Sequence, residues 1–130
     1  MPKILLVEDE DSLAKALAAK LRQAGFAVAG ANNGKEALRI LAGQAFDVVL
    51  LDLLMPEMDG FAFLHQFRRS DRRTPVAVLS NLGQPEDMAH AKSLGAHVYL
   101  IKANTPLEAV VACAKRLAAP PSQAAMSHST

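Results

Sequence analysis

Tryptophan is absent from the sequence, tyrosine occurs once and phenylalanine five times, so aromatics make up only 5% of 130 residues. Base-stacking platforms and sugar-binding surfaces need more aromatic area than that. Cysteine also occurs once, at Cys113, which excludes an intrachain disulfide; with no CxxC or Cys/His cluster, a zinc site is excluded as well. His65, His90, His97 and His128 are scattered, without HExxH-like spacing, and read as surface histidines. No apolar run approaches the roughly 18 residues of a membrane-spanning helix. The strongest, Val48 to Leu51, is interrupted by Asp52, and Pro56 soon closes the stretch. One lysine followed by a short apolar run ending in acid at Glu8 is not a signal peptide, so a soluble, cytoplasmic chain is the expectation, with no membrane partner. An excess of one charge is missing too. Fourteen basic residues face thirteen acidic ones, for a net charge of +1. That balance argues against a general, direct nucleic-acid binder or a cationic membrane peptide.

What the chain does have is short apolar segments alternating with amphipathic ones. With 51% hydrophobic and 21% charged residues it is long enough to bury one core, neither disordered nor dependent on disulfides. Ile4, Leu5, Leu6 and Val7 read as a strand buried on both faces, stopped by four consecutive acids, Glu8, Asp9, Glu10 and Asp11. Leu13, Leu17 and Leu21 then recur at helical spacing before Gly25. A weaker strand at 26–29 leads to an Asn33-Gly34 turn and a short helix through Ala37, Leu38 and Leu41, which Gly43 ends. Residues 46–51 form the best strand and end at Asp52. Phe61, Leu64 and Phe67 predict a third helix, and 68–73 a polar connection. A fourth strand at 75–79 ends at Ser80, and a fourth helix opens with Pro85 and closes at Gly95. The fifth strand, 98–101, ends at Lys102. Thr105, Pro106 and Glu108 then have the form of an N-cap, an N1 proline and a capping-box glutamate. They lead into a fifth helix with Leu107, Val110, Val111, Ala114 and Leu117 on one face. Five β-α units with such short connections require a parallel sheet with helices on both faces. Residues 1–118 are read as this α/β domain, and 119–130, with Pro120-Pro121 and no periodicity, as a mobile tail or the start of a linker.

The chemistry falls at strand ends. In a doubly wound parallel sheet, ligands bind beyond the carboxyl ends of the strands. Glu8 and Asp9 follow the first strand, Asp52 the third, Ser80 the fourth and Lys102 the fifth. Carboxylates converging on one crevice repel; a like-charged pair about 4 Å apart costs roughly 4 kcal/mol at an effective dielectric of 20. Lys102 is one candidate to offset that, and a hard divalent cation another. Magnesium favours one or two carboxylates with waters and phosphate oxygens. A metal, a lysine and a hydroxyl together suit a phosphoryl group, with Asp52 as nucleophile for an aspartyl phosphate.

These residues sit in segments that resemble the receiver domain of bacterial two-component response regulators over about residues 3–118. The likeness rests on ILLVEDED, VVLLDLLMPEMDG, VAVLSN and VYLIK, the second being highly specific. It implies a flavodoxin-like, doubly wound five-stranded parallel sheet in the order 2-1-3-4-5, with five helices. It further implies that Asp52 accepts a phosphoryl group from a phosphohistidine on a sensor histidine kinase or phosphotransfer protein. Glu8 and Asp9 match the acidic pair that holds Mg2+, Asp9 directly and Glu8 through water. Leu54 matches the position whose backbone carbonyl completes the protein's share of the metal shell. Lys102 matches the lysine on the phosphoryl oxygens, Ser80 the hydroxyl that turns toward them, and Tyr99 the aromatic that swings inward with it. The output follows from a two-state surface that binds a downstream protein target, and a homodimer through the fourth and fifth helices is open.

Two positions depart from the family pattern. The lysine is usually followed by proline and here by Ala103; a cis bond there without proline costs roughly 2.5–4 kcal/mol, so either the surroundings impose it or the loop differs. The hydroxyl residue is usually followed by a small one and here by Asn81. Leu54 and Leu82 are apolar where polar side chains position a hydrolytic water, which predicts a slowly decaying aspartyl phosphate. A haloacid-dehalogenase-type phosphatase is the alternative, weakened because Leu54 stands where its second Asp is needed. A flavodoxin-like nucleotide binder needs glycines where the acids of 8–11 stand. Arg68, Arg69, Arg72 and Arg73, interrupted by Asp71, read as a solvated turn. Ala109, Ala112 and Cys113 suggest apolar surface off the core face of the last helix, with Cys113 a packing residue rather than a redox sensor.

Overall fold

A computed structural model of the protein describes residues 1–119; of the tail expected at 119–130, all but Ala119 lies outside them. The elements run β1 (Lys3–Val7), α1 (Asp11–Gln23), β2 (Ala27–Ala31), α2 (Gly34–Gly43), β3 (Val48–Leu51) and α3 (Gly60–Phe67). β4 (Val76–Ser80), α4 (Pro85–Ser93), β5 (Val98–Ile101), a single 3-10 turn (Lys102–Asn104) and α5 (Leu107–Ala118) follow. All strand pairings are parallel, and the order is β2-β1-β3-β4-β5. Each expected element is present; β2 lies later than expected and β3 starts two residues later, at Val48.

Alternation along the central strands divides the core in two. Leu5, Val7, Val49, Leu51, Val76 and Val78 face α2, α3 and α4, where Ala37, Phe63, Leu64, Phe67 and Ala91 meet them. Ile4, Leu6, Val48, Leu50, Ala77 and Leu79 face α1 and α5, against Leu17, Leu21, Val110, Cys113 and Ala114. Cys113 therefore belongs to the core face of α5, not to its outward apolar surface, and burial pushes its thiol pKa up. Ala109 and Ala112 are the exposed small residues of that helix.

Gly25 and Gly95, at φ +102° and +107°, stop α1 and α4 in the left-handed conformation that glycine adopts most readily. The start of α5 differs from expectation. Its N-cap residue is Pro106, and Thr105 Oγ1 instead donates to the Ile101 carbonyl at 2.8 Å. Glu108 leaves the helix end for Lys20 of α1, 3.2 Å away, so no capping box forms. Proline has no N–H for a capping glutamate to accept, and that removes half of the motif. All peptide bonds among the described residues are trans, Lys102–Ala103 included. The loop alternative is the one realised there: β5 runs straight into the 3-10 turn. No helix among the described residues is long and apolar enough to cross a membrane.

Candidate functional site

The strand order reverses between β1 and β3, because β2 lies to one side of β1 and β4 and β5 lie beyond β3. The crevice at the carboxyl ends of β1 and β3 is thus the switch point at which doubly wound sheets bind ligands. Backbone bonds hold its rim: Glu8 N–H donates to the Ala31 carbonyl at 3.0 Å, and Asp52 N–H to the Val7 carbonyl at 2.9 Å. Glu8, Asp9 and Asp52 each turn a carboxylate oxygen into a group whose members lie within 4.8 Å of one another. Glu8 and Asp52 are 3% and 4% exposed, whereas Asp9 opens to solvent. Only three of the five acids in these segments converge. Glu10 becomes the N-cap residue of α1 and Asp11 its first residue, both exposed.

Lys102 enters from the 3-10 turn after β5. Its Nζ lies 2.9 Å from Glu8 Oε1 and 3.1 Å from Asp52 Oδ2. The remaining oxygens are held by main chain: Glu8 Oε2 accepts from Glu10 N–H and Asp52 Oδ1 from Leu54 N–H, each at 3.1 Å. Burial alone lowers the pKa of the Lys102 ammonium, but the hydrogen bonds and charges of Glu8 and Asp52 outweigh it and hold the pKa above the ordinary lysine value. Glu8 moves the other way from a typical paired acid. Burial pushes its carboxyl pKa up, and the hydrogen bonds from Lys102 and Glu10 only partly counter that. The sequence offers Lys102 as a counter-charge to the converging carboxylates; that it meets Glu8 and Asp52 together is set by the fold.

Ser80 ends β4, fully buried, in register with Ile101 of β5, so Ser80 and Lys102 leave neighbouring strand ends. Its hydroxyl oxygen accepts from Leu82 N–H at 3.3 Å, and the Leu82 carbonyl accepts from the Tyr99 hydroxyl at 2.6 Å. Leu82 thus links the two side chains through its own backbone. Burial, then the charge of Asp87, pushes the Tyr99 phenol pKa up. Leu54 turns its side chain outward, 53% exposed, beside the crevice.

The loop from Asp52 to α3 is packed tightly. Gly60 N–H donates to the Leu53 carbonyl at 3.0 Å, and a Cβ on Gly60 would lie 2.7 Å from Leu53 Cα and 2.8 Å from the Asp52 carbonyl oxygen. Asp59 caps α3 by accepting from Ala62 N–H at 2.9 Å, and Glu57 takes a left-handed φ of +67° on the way. The glycine of MPEMDG is therefore a close-approach residue that lets helix α3 begin against the acidic strand end.

The donor set suits a hard divalent cation. Three carboxylates and one ammonium leave a local excess of two negative charges, all offered through oxygen, with Asp9 on the solvent side.

The residues expected to form a solvated turn do not all do so. Arg68 is drawn into the fold, its side chain 11% exposed. Its Nη2 donates to the Thr74 and Gly95 carbonyls at 2.8 Å each, and Nη1 to the Asp71 carbonyl at 3.0 Å. Arg69, Arg72 and Arg73 remain exposed.

The comparisons with known proteins agree with this geometry. The family model for the response regulator receiver domain matches residues 4–113. The transcriptional activator protein PfeR of Pseudomonas aeruginosa is 41% identical over 101 residues, 78% of this chain and 33% of PfeR. The regulatory protein AtoC of Escherichia coli is 40% identical over 100 residues, 77% of this chain and 22% of AtoC. The chain thus spans less than half the length of these curated relatives. Among solved structures, the Vibrio cholerae chemotaxis protein CheY4 superposes with a TM-score of 0.84 at 32% identity, covering 90% of this chain and 98% of that one. The receiver domain of the Francisella response regulator 1452 gives 0.85 at 29% identity, covering 91% and 97%. The chain belongs to the receiver domain family of two-component response regulators, a family of signalling switches. The phosphatase alternative finds no support in these matches.

Proposed function

We propose that this domain accepts a phosphoryl group on Asp52 from a phosphohistidine of a sensor histidine kinase or phosphotransfer protein, and thereby switches a surface read by a downstream protein target. The observation that carries this reading is a single ammonium, Lys102, shared by a nearly buried Glu8 and a nearly buried Asp52 beside a solvent-facing Asp9. An Asp52 carboxylate oxygen attacks phosphorus; the P–N bond of the donor breaks, and its imidazole leaves and takes up a proton from solvent. Lys102 turns from the Asp52 oxygen toward the new phosphoryl oxygens, keeping its bond to Glu8. Mg2+ would be held by Asp9 and Asp52, by Glu8 through water and by the Leu54 backbone carbonyl. When bound, it supplies the positive charge that the three carboxylates and a phosphoryl group need.

The Ser80 hydroxyl spends a lone pair on Leu82 N–H, so its proton is available to a phosphoryl oxygen once the side chain turns. That turn perturbs Leu82, whose carbonyl holds the Tyr99 hydroxyl, and so passes to the outer face of β5. The phosphoryl group leaves again by hydrolysis within the domain. The apolar Leu54 and Leu82 side chains favour slow loss, because none of their atoms orients a water, while Asn81, larger than the family's usual residue after the hydroxyl, bears on access to the phosphoryl group.

Incubation with a small phosphodonor and magnesium tests the reading. The wild type is expected to gain the mass of one phosphoryl group and Asp52→Asn none; a modification that persists in the Asn variant rejects the assignment. Millimolar magnesium alone is expected to raise the melting temperature by binding the folded state only, and no shift counts against the metal site. A phosphoryl lifetime of seconds with magnesium present sinks the slow-decay reading.

A further inference from the structure

A second concave feature lies at the opposite end of the sheet, where the chain enters β4 and β5. This groove, about 530 Å³, is lined on one wall by His65, Arg68, Arg69 and Arg72, and on the other by the turn from Ser93 into His97. Among the described residues, no carboxylate lines it. The nearest acid, Asp71, is committed to its own loop. It accepts from Arg73 N–H and Thr74 N–H at 2.9 Å each and from the Thr74 hydroxyl at 2.7 Å. Arg68 forms a fixed cationic floor, because its hydrogen-bond partners among the described residues are main-chain carbonyls and the His97 ring, none of which carries a cancelling charge. Among the described residues only Asp71 approaches as an ion-pair partner, at 3.8 Å. Arg69 and Arg72 stand exposed on the rim, with no side-chain hydrogen bond or ion pair among the described residues.

We propose that this groove docks an acidic peptide segment of a partner protein, its carboxylates paired with the Arg69 and Arg72 guanidiniums over the Arg68 floor. Charge complementarity argues for an anionic occupant, and guanidiniums bind carboxylates in bidentate fashion. Size and composition argue for a peptide over a nucleic acid. The groove is a short hollow with three arginines, whereas a phosphate backbone draws on a longer track of six to ten contacts, and no Phe, Tyr or Trp lines it to stack a base. The site lies away from Glu8, Asp52 and Lys102, so docking there leaves the acidic crevice open and does not depend on Asp52 being the acceptor.

The test is fluorescence anisotropy of a labelled hexaglutamate peptide with the full chain at about 0.1 M salt, where the Debye length is ~10 Å. Saturable binding is expected, weakened about tenfold or more in Arg69→Glu/Arg72→Glu. It should be little changed in Arg22→Glu/Arg39→Glu, which makes the same change in net charge on exposed positions of α1 and α2. Circular dichroism and urea midpoints confirm that both variants fold. The proposal is overturned by any of four results: equal loss in the two variants, no saturation up to millimolar peptide, tighter binding of a duplex DNA oligonucleotide, or a groove-dependent self-association of the chain.

Discussion

The two ends of the sheet each bury a cation among oxygens, but the oxygens differ. At the carboxyl ends, Lys102 is shared by the Glu8 and Asp52 carboxylates; at the amino ends, Arg68 hydrogen-bonds the neutral carbonyls of Asp71, Thr74 and Gly95, with the Asp71 carboxylate farther off at 3.8 Å. Carboxylates carry net charge, repel each other and bind other cations, so the Lys102 cluster holds a balance that a new ligand can shift. Carbonyls neither titrate nor repel to that degree. The Arg68 cluster is therefore a clamp, tying the α3–β4 loop to the end of α4. One pole of the molecule is arranged to change and the other to stay. The difference lies in the acceptors rather than in the cation.

Four substitutions probe that contrast, each read by urea unfolding without divalent ions. Lys102→Met is expected to cost the most, about 4 kcal/mol, because Glu8 and Asp52 are left buried together without a counter-charge. A loss under about 1 kcal/mol would mean that the carboxylates separate freely. Gly60→Ala comes next, at about 3 kcal/mol, since the new methyl meets the backbone of Leu53 and Asp52, which has no room to give. Wild-type stability in this variant would show that the start of α3 is not fixed against the acidic loop.

Arg68→Met should cost about 2 kcal/mol. It removes the donors from three carbonyls but leaves no buried charge behind, and partial solvent access softens the loss. If it costs more than Lys102→Met, the distinction between charged and neutral acceptors is wrong. The smallest effect is expected from Asp71→Asn, about 1 kcal/mol at neutral pH, discounted because the side chain is about a third exposed. Burial raises the Asp71 pKa, yet the Thr74 and Arg73 hydrogen bonds and the Arg68 charge overcome it and hold the carboxyl below its ordinary value. A depressed acid stabilises the fold above its unfolded pKa, about 3.9, and loses that contribution as pH falls through the folded one. The gap between wild type and variant should therefore be constant near neutrality and close below about pH 4. A gap that widens in acid contradicts this assignment.

Much of this was legible in the residues. Continuous apolar runs placed the strands, apolar spacing of three to four placed α1, α2, α3 and α5, and Pro85 and Gly95 bounded α4, all local properties that the sequence carries. The acids after β1 and β3 and the lysine after β5 were also readable as one site, since a parallel βα order brings all carboxyl ends to one edge. The capping reading at Thr105 failed for one local and one tertiary reason. Thr105 turns its hydroxyl back to donate to the Ile101 carbonyl four residues earlier, and Lys20 of α1 drew Glu108 away.

The sequence by itself determined the alternating α/β layout, the buried strands and the convergence of Glu8, Asp9 and Asp52, all consequences of patterning and strand direction. Only the tertiary structure decided which oxygens each cation meets. That choice depends on distances of about 3 Å between residues fifty or more apart in sequence, as between Lys102 and Asp52, or about thirty apart, as between Arg68 and Gly95. Composition and spacing carry no information at that scale. The same limit explains why an arginine expected in solvent became a clamp, and why a chain with a net charge of +1 holds an acidic crevice at one end and an arginine-lined groove at the other.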